Sequence, residues 1–187
     1  MNDLWATAER ACTALTNAGV AFGITGGIAT IYYGEPRLTQ DIDVVVRVPE
    51  GQPVVGAIVA ALSPGFHIDP ETVREEVARG GMFQALDRDT MIRVDFHVGE
   101  AVPGELDRCV LREVLPGVQL PLMSKEDLIV AKLLWIRMGS HKSRDDVRAM
   151  LRRSDPLDMA VLEGLAAKLG VADLLDEFAP PGGHRTP

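Results

Sequence analysis

Arg37-Leu38-Thr39-Gln40-Asp41-Ile42-Asp43-Val44-Val45-Val46 is the stretch on which the reading of this chain turns. Its second half is rich in valine and isoleucine, as strands prefer. Successive side chains of a strand point to opposite faces, so Ile42, Val44 and Val46 enter a core while Asp41 and Asp43 stand together on the other face. Two carboxylates that close repel, and one takes up a proton unless a cation lies between them. A hard divalent ion with oxygen ligands removes that penalty, and magnesium is the usual one where phosphates complete the shell.

Working outward, the upstream pair Gly26-Gly27 falls between a short β-like run, Val20–Ile24, and a short helix, Ile28–Tyr33. Without Cβ atoms the backbone there can approach a ligand closely and aim N–H groups at a phosphate. Downstream, Ile92-Arg93-Val94-Asp95-Phe96-His97-Val98 alternates with period two. Ile92, Val94, Phe96 and Val98 face the core, and Asp95 stands on a polar face in mid-strand, where an acid needs a partner. It is the natural third carboxylate for a two-metal site. Lys132, inside the apolar run Leu128–Ile136, needs an anion or a route to water, and polyphosphate would supply the anion. If phosphate alone is its purpose, Lys132→Met should leave the ligand-free protein at least as stable.

The remaining pattern gives an amphipathic helix over Asn2–Asn17, a buried helix over Val54–Leu62 and a helix opened by Asp69-Pro70-Glu71 and closed at Gly80-Gly81. Met82–Leu86 and Met91–Val98 read as a hairpin. Val102–Leu120 is mixed, with Pro-Gly turns at 103–104 and 116–117. Ser124 followed by Asp127 opens a long helix to about Met138. Further helices are expected near Ser143–Arg153, Leu157–Leu169 and Val171–Phe178. Strands concentrate before Leu120 and helices after it. The fold class is therefore α/β (α+β), a mixed sheet flanked by helices: a core over 1–122, a helical region over 123–179 packed on it, and a disordered tail over 180–187.

The chain has 187 residues, 47% hydrophobic and 25% charged, enough apolar material for one well-buried core. A net charge of −8 argues against broad, sequence-blind binding of nucleic acid, though not against a local basic patch. Cys12 and Cys109 lack metal-ligand spacing and read as reduced thiols. The N-terminus lacks the basic start and apolar stretch of a signal peptide, and no apolar run is long enough to span a bilayer, so a cytoplasmic location is expected.

The ordered pattern Gly-Gly, then Arg-x-Thr-x-Asp-Ile-Asp, then a later strand aspartate, then a helical lysine and Lys142-Ser143-Arg144-Asp145-Asp146-Val147, resembles the AbiEii/MenT-type nucleotidyltransferases of the polymerase-β superfamily. The resemblance covers roughly residues 20–150. Many superfamily members carry Gly-Ser where this chain has Gly26-Gly27, and the insert before Asp41 is longer than in minimal members. The resemblance implies a nucleotidyltransferase-type mixed sheet and a nucleoside triphosphate as substrate. It implies metal ligation by Asp41, Asp43 and Asp95, with magnesium, or manganese in its place. Gly26, Gly27, Arg37, Thr39, Lys132 and Asp146 would form the nucleotide and phosphate site. The acceptor would be RNA (a tRNA end), a protein or a small molecule, and the partner a cognate toxin or antitoxin. The rival expectation is a non-catalytic binding module, or toxin partner, that keeps the fold.

Blander roles compete for several residues. Arg37 can simply pair with Glu35 or with the aspartate pair. Arg144, Arg148 and Arg152 recur every four residues and read as a solvated helix face pairing with acids such as Asp145 and Asp155. His97 and His141 lack partners for zinc. Trp5, Trp135, Tyr32 and Tyr33 are read as core or interface residues.

Overall fold

The protein is described from a computed structural model, over residues 2–48 and 54–178. The expected disordered tail at 180–187 lies outside the described residues.

The chain opens with helix α1 (Asn2–Asn17), which leads into strand β1 (Ala21–Ile24), helix α2 (Gly26–Tyr33) and strand β2 (Asp41–Arg47). Helix α3 (Val54–Leu62), the two-residue strand β3 (Phe66–His67) and helix α4 (Pro70–Arg79) follow. The hairpin of β4 (Met82–Asp87) and β5 (Arg93–Val98) comes next, then a second hairpin of β6 (Val110–Leu115) and β7 (Val118–Leu122). Four helices finish the described chain: α5 (Lys125–Arg137), α6 (Lys142–Arg152), α7 (Met159–Lys168) and α8 (Ala172–Asp176). The strands form one mixed sheet in the order β3-β4-β5-β2-β1-β7-β6.

Two pairings fix the site. β2 runs antiparallel to β1 and parallel to β5, with Asp41 opposite Arg93, Asp43 opposite Asp95 and Val45 opposite His97. A one-residue slip would turn every one of these side chains to the wrong face, and the apolar alternation forbids it: Ile42, Val44, Val46, Val94 and Phe96 are all completely buried. Phe83 stacks on Phe96 across β4 and β5, with ring centroids 4.9 Å apart.

Local signals set the helix ends. Asp69 caps α4 by accepting from the Thr72 N–H, and Gly80 closes that helix in the left-handed region at φ 64°. Ser124 caps α5 in the same way through the Asp127 N–H, while its hydroxyl donates to Asp127 Oδ2 at 2.6 Å. Asp127 is fully buried, and its charge is met by Arg108, whose Nη2 lies 2.6 Å from Oδ1. One hydrophobic cluster contains Val44 and Phe96 of the sheet together with Leu128, Leu133, Val147 and Leu162 of the later helices.

One expectation is corrected. α3 is not a buried helix, since only Ile58 and Leu62, four residues apart, are fully covered. A single helix stripe packs inward, and Val54, Val55 and Val59 are only partly buried. Of the aromatic residues read as core or interface, Trp5 and Tyr33 join the core, while Trp135 stays outside it at 50% exposed. Its place on α5 explains this, because positions 128, 131, 132 and 135 share one helix face and that face lines a cleft. Among the described residues no helix is long and apolar enough to cross a membrane.

Candidate active site

A cleft of about 280 Å³ opens where β2 and β5, the start of α2, and the facing sides of α5 and α6 meet. Asp41, Asp43, Gly26, Gly27, Arg37, Thr39, Lys132 and Asp146 all line it, so eight residues singled out from sequence converge on one place. The ninth, Asp95, lies beside them on the same sheet face, next to Asp43 on the adjoining strand.

The glycine pair is required by sterics. Gly26 has φ 56°, and a Cβ there would fall 1.8 Å from Asp43 Oδ2. A Cβ on Gly27 would fall 2.2 Å from Thr39 Oγ1. No side chain fits between the turn and the acid it covers. The Gly27 N–H donates to Asp43 Oδ2 at 3.3 Å, so the positive end of α2 is directed at a carboxylate. Thr39 donates to Asp41 Oδ1 at 3.2 Å and steadies the first acid.

Each carboxylate is turned towards a basic side chain of the protein itself. Arg93 bridges two of them, with Nη2 2.9 Å from Asp41 Oδ2 and Nε 3.0 Å from Asp95 Oδ1. His97 Nε2 lies 3.2 Å from Asp43 Oδ1. Gln84 donates to Asp95 Oδ1 at 3.0 Å. Burial works to raise the Asp43 pKa. The hydrogen bond and charge of His97, the Gly27 N–H and the charge of Lys132 outweigh it, and the group ends below the usual carboxylate range. Asp95 goes the other way. Burial raises it, the charges of Asp43 and Asp41 add to that, and Arg93 and Gln84 only partly compensate.

Among the described residues no group of three or more His, Cys, Asp or Glu side chains converges to hold a metal ion. The donor set nonetheless fits a hard divalent cation. Three carboxylates share one face, burial and then the charges of Asp43 and Asp41 raise Asp95, and a turn too tight for any Cβ covers Asp43. The acids point at Arg93 and His97 rather than at one common point.

On the opposite wall, Lys132 Nζ lies 2.8 Å from Asp146 Oδ2, and the pair is nearly buried. Arg37 reaches the same acid, with Nε 3.1 Å from Oδ1. The anion that Lys132 needs is thus supplied within the fold, and Asp146 aligns two cations along the cleft. Glu35, expected as a partner of Arg37, instead faces Arg152 at 3.6 Å. Arg148 pairs with Asp145 as expected, whereas Arg144 pairs with Glu177 and Asp155 pairs with Arg153.

Sequence reasoning missed three cleft residues. His97 was legible, because the alternation that exposes Asp95 puts His97 on the same face two residues on. Trp135 was legible as the residue three beyond Lys132 on its helix. Glu105 carried no signal. It lies in the loop after β5, is 2% exposed, and accepts from the Ala101 N–H at 2.8 Å. Burial, with the charges of Asp127 and Glu100, pushes it up to about 7 against the backbone N–H groups of Ala101 and Val102.

The AbiEii sequence family, described as "Nucleotidyl transferase AbiEii toxin, Type IV TA system", matches residues 19–178. The chain belongs to this nucleotidyltransferase family. The match spans every cleft residue and α2 through α8, and the mixed α/β architecture is that of nucleotidyltransferase folds. Solved structures carry the same fold at low identity. The antibiotic-resistance factor ANT(2'')-Ia, solved in complex with adenylyl-2''-tobramycin, is 17% identical with a TM-score of 0.60, over 94% of this chain and 98% of that one. Its solution structure aligns at 16% identity and a TM-score of 0.57, over 94% and 96%. An antigenic nucleotidyltransferase-like protein from Paracoccidioides brasiliensis aligns at 18% and 0.53, over 95% and 93%. No curated protein sequence matches the chain.

Proposed function

We propose that this AbiEii-family protein transfers a nucleoside monophosphate from a nucleoside triphosphate to an acceptor hydroxyl. The observation that carries the reading is the convergence, in one cleft, of the Asp41–Asp43 pair, the Gly26-Gly27 turn at the start of α2, and Lys132 with Arg37. Asp41, Asp43 and Asp95 would hold the divalent cation, magnesium or manganese, which when bound neutralises triphosphate charge and acidifies the acceptor hydroxyl.

The chain's own groups do the rest. The triphosphate lies along the cleft with its outer phosphates at the Gly26-Gly27 backbone and the Lys132 ammonium. Asp146 holds Lys132 and Arg37 facing that position. The acceptor oxygen bonds to the α-phosphorus, and the bond from that phosphorus to the bridging oxygen breaks. Pyrophosphate leaves with the electron pair. The hydroxyl proton passes to Asp95, which stands on the same sheet face beside Asp43. Positioning and charge neutralisation supply most of the rate.

In this reading residues 1–122 form the catalytic core and 123–179 a helical region that contributes Lys132 and Asp146. The acceptor is RNA, a protein or a small molecule. The protein works in the cytoplasm as part of a toxin–antitoxin pair, with a cognate partner. The test is incubation with each α-phosphorus-labelled ribonucleoside triphosphate, Mg²⁺ and, separately, cellular RNA, protein and small hydroxyl compounds. Label should enter one pool. A folded protein that labels none with any donor would contradict transfer and favour a non-catalytic module.

A further inference from the structure

Arg93 sits directly across from Asp41 in the parallel register of β2 and β5, two residues before Asp95 on its own strand. Its guanidinium forks between the two acids, 2.9 Å from Asp41 Oδ2 and 3.0 Å from Asp95 Oδ1. Little in the fold calls for an arginine there. The side chain is 47% exposed, and the core is built by Val94 and Phe96 on the other face. Its two ion pairs are with the carboxylates themselves.

We infer that Arg93 is the resident counter-cation of this carboxylate cluster, a positioning residue that holds Asp41 and Asp95 in the metal-free protein and must leave them when a divalent ion binds. The inference rests on the reading of Asp41, Asp43 and Asp95 as a divalent-cation site. A guanidinium and a hard cation compete for the same lone pairs, and a doubly charged ion on those oxygens would repel a cation left beside it. Half exposure gives the guanidinium a low-cost exit into water.

Two consequences follow. Without an internal cation, Asp43 and Asp95 face each other on neighbouring strands, where like charges destabilise a sheet. Arg93 therefore stabilises the ligand-free fold. It also lowers the affinity for a bare ion, because binding must break both ion pairs. An ion that arrives on a triphosphate brings the further interactions of Gly26-Gly27 and Lys132 and overcomes that competition. The site is thus biased against free metal and towards the metal–nucleotide complex.

The experiment measures Mn²⁺ binding by electron paramagnetic resonance, alone and with a nonhydrolysable triphosphate, alongside thermal melts of the metal-free protein. The variants are Arg93→Met and Arg93→Lys, with Asp41→Asn/Asp43→Asn as control. Arg93→Met should melt lower without metal yet bind bare Mn²⁺ roughly tenfold more tightly, because the ion no longer has two half-exposed ion pairs to break. Arg93→Lys, which keeps the charge on a compact ammonium but loses the planar fork, should fall between Arg93→Met and wild type and serves if the methionine variant does not fold. An arginine with a merely structural role would give a loosened site and weaker binding, so tightening is the diagnostic sign. Unchanged or weaker Mn²⁺ binding in the Arg93 variants, with wild-type binding that depends on Asp41 and Asp43, would overturn the inference and leave the metal reading standing. Wild-type protein that binds no Mn²⁺ even with the triphosphate, or binding that survives in the control, would remove the metal reading and this inference with it.

Discussion

Replacing Lys132 with methionine separates two accounts of a charged residue in an apolar helix. If phosphate were its only partner, the ligand-free protein would gain from losing a buried charge. The structure argues otherwise. Lys132 Nζ lies 2.8 Å from Asp146 Oδ2, with the two side chains 12% and 5% exposed. The substitution keeps the stem volume but leaves Asp146 to Arg37 alone, at distances of 3.1 and 3.5 Å. Stripping a buried carboxylate of both partners would cost about 3–5 kcal/mol. Loss of one charge-assisted hydrogen bond, with a second partner retained, should cost about 1–3 kcal/mol. For a chain of this size that corresponds to a melting-point drop of roughly 5 °C. The assay is a thermal melt of the metal-free protein, repeated with Mg²⁺ and a nonhydrolysable triphosphate. Lys132→Met should melt lower and show a reduced nucleotide-induced shift, because a cation facing the outer phosphates is gone. Lys132→Met/Asp146→Asn should recover part of the lost stability while remaining deficient in nucleotide binding. A methionine variant as stable as wild type would refute the assignment of Asp146 as the resident anion. A normal nucleotide shift would remove Lys132 from the phosphate site.

Gly26→Ala should abolish transfer and lower stability by about 1–3 kcal/mol in a thermal melt, since the backbone is left-handed and the methyl would meet Asp43 at 1.8 Å. Glu105 gives a pH signature. Its pKa is raised from 4.5 to about 7, so the folded state holds the proton more tightly and stability falls as pH rises through that window. Glu105→Gln should flatten the decline and be more stable than wild type at pH 8, by up to about 3 kcal/mol; denaturant midpoints at acid and alkaline pH that move in parallel for the two proteins would contradict this. Asp127→Ala should cost about 3–5 kcal/mol by urea titration, because it strands Arg108 and removes the α5 cap partner.

Much of this was legible in the sequence because short-range rules govern it. Alternation in Asp41–Val46 and Ile92–Val98 put the carboxylates of each strand on its polar face, away from the core, and the Gly26-Gly27 turn was marked by its missing side chains. The Asp69 and Ser124 caps set helix starts from local chemistry alone. What stayed hidden depends on long-range pairing. Nothing in the order of residues says that β2 runs parallel to β5, and that register alone puts Arg93 beside Asp41 and His97 near Asp43. The partner of Lys132 lies fourteen residues away on another helix, so a search for its anion along the chain reaches only phosphate. Glu105 is buried by a loop whose path periodicity cannot give. α3 misled because apolar residues occupy all sides of a helix that packs along one stripe.

The central claim is transfer at the α-phosphorus with Asp41 and Asp43 at the reacting centre. The most direct measurement compares wild type with Asp41→Asn/Asp43→Asn in the α-phosphorus label assay, with circular dichroism and melting on the same samples. Asparagine keeps the shape but gives up the Arg93 ion pair to Asp41 and the charge that His97 meets on Asp43, so the variant should fold, melt somewhat below wild type and lose label transfer. Label transfer that persists near the wild-type rate in the folded double variant would contradict the account.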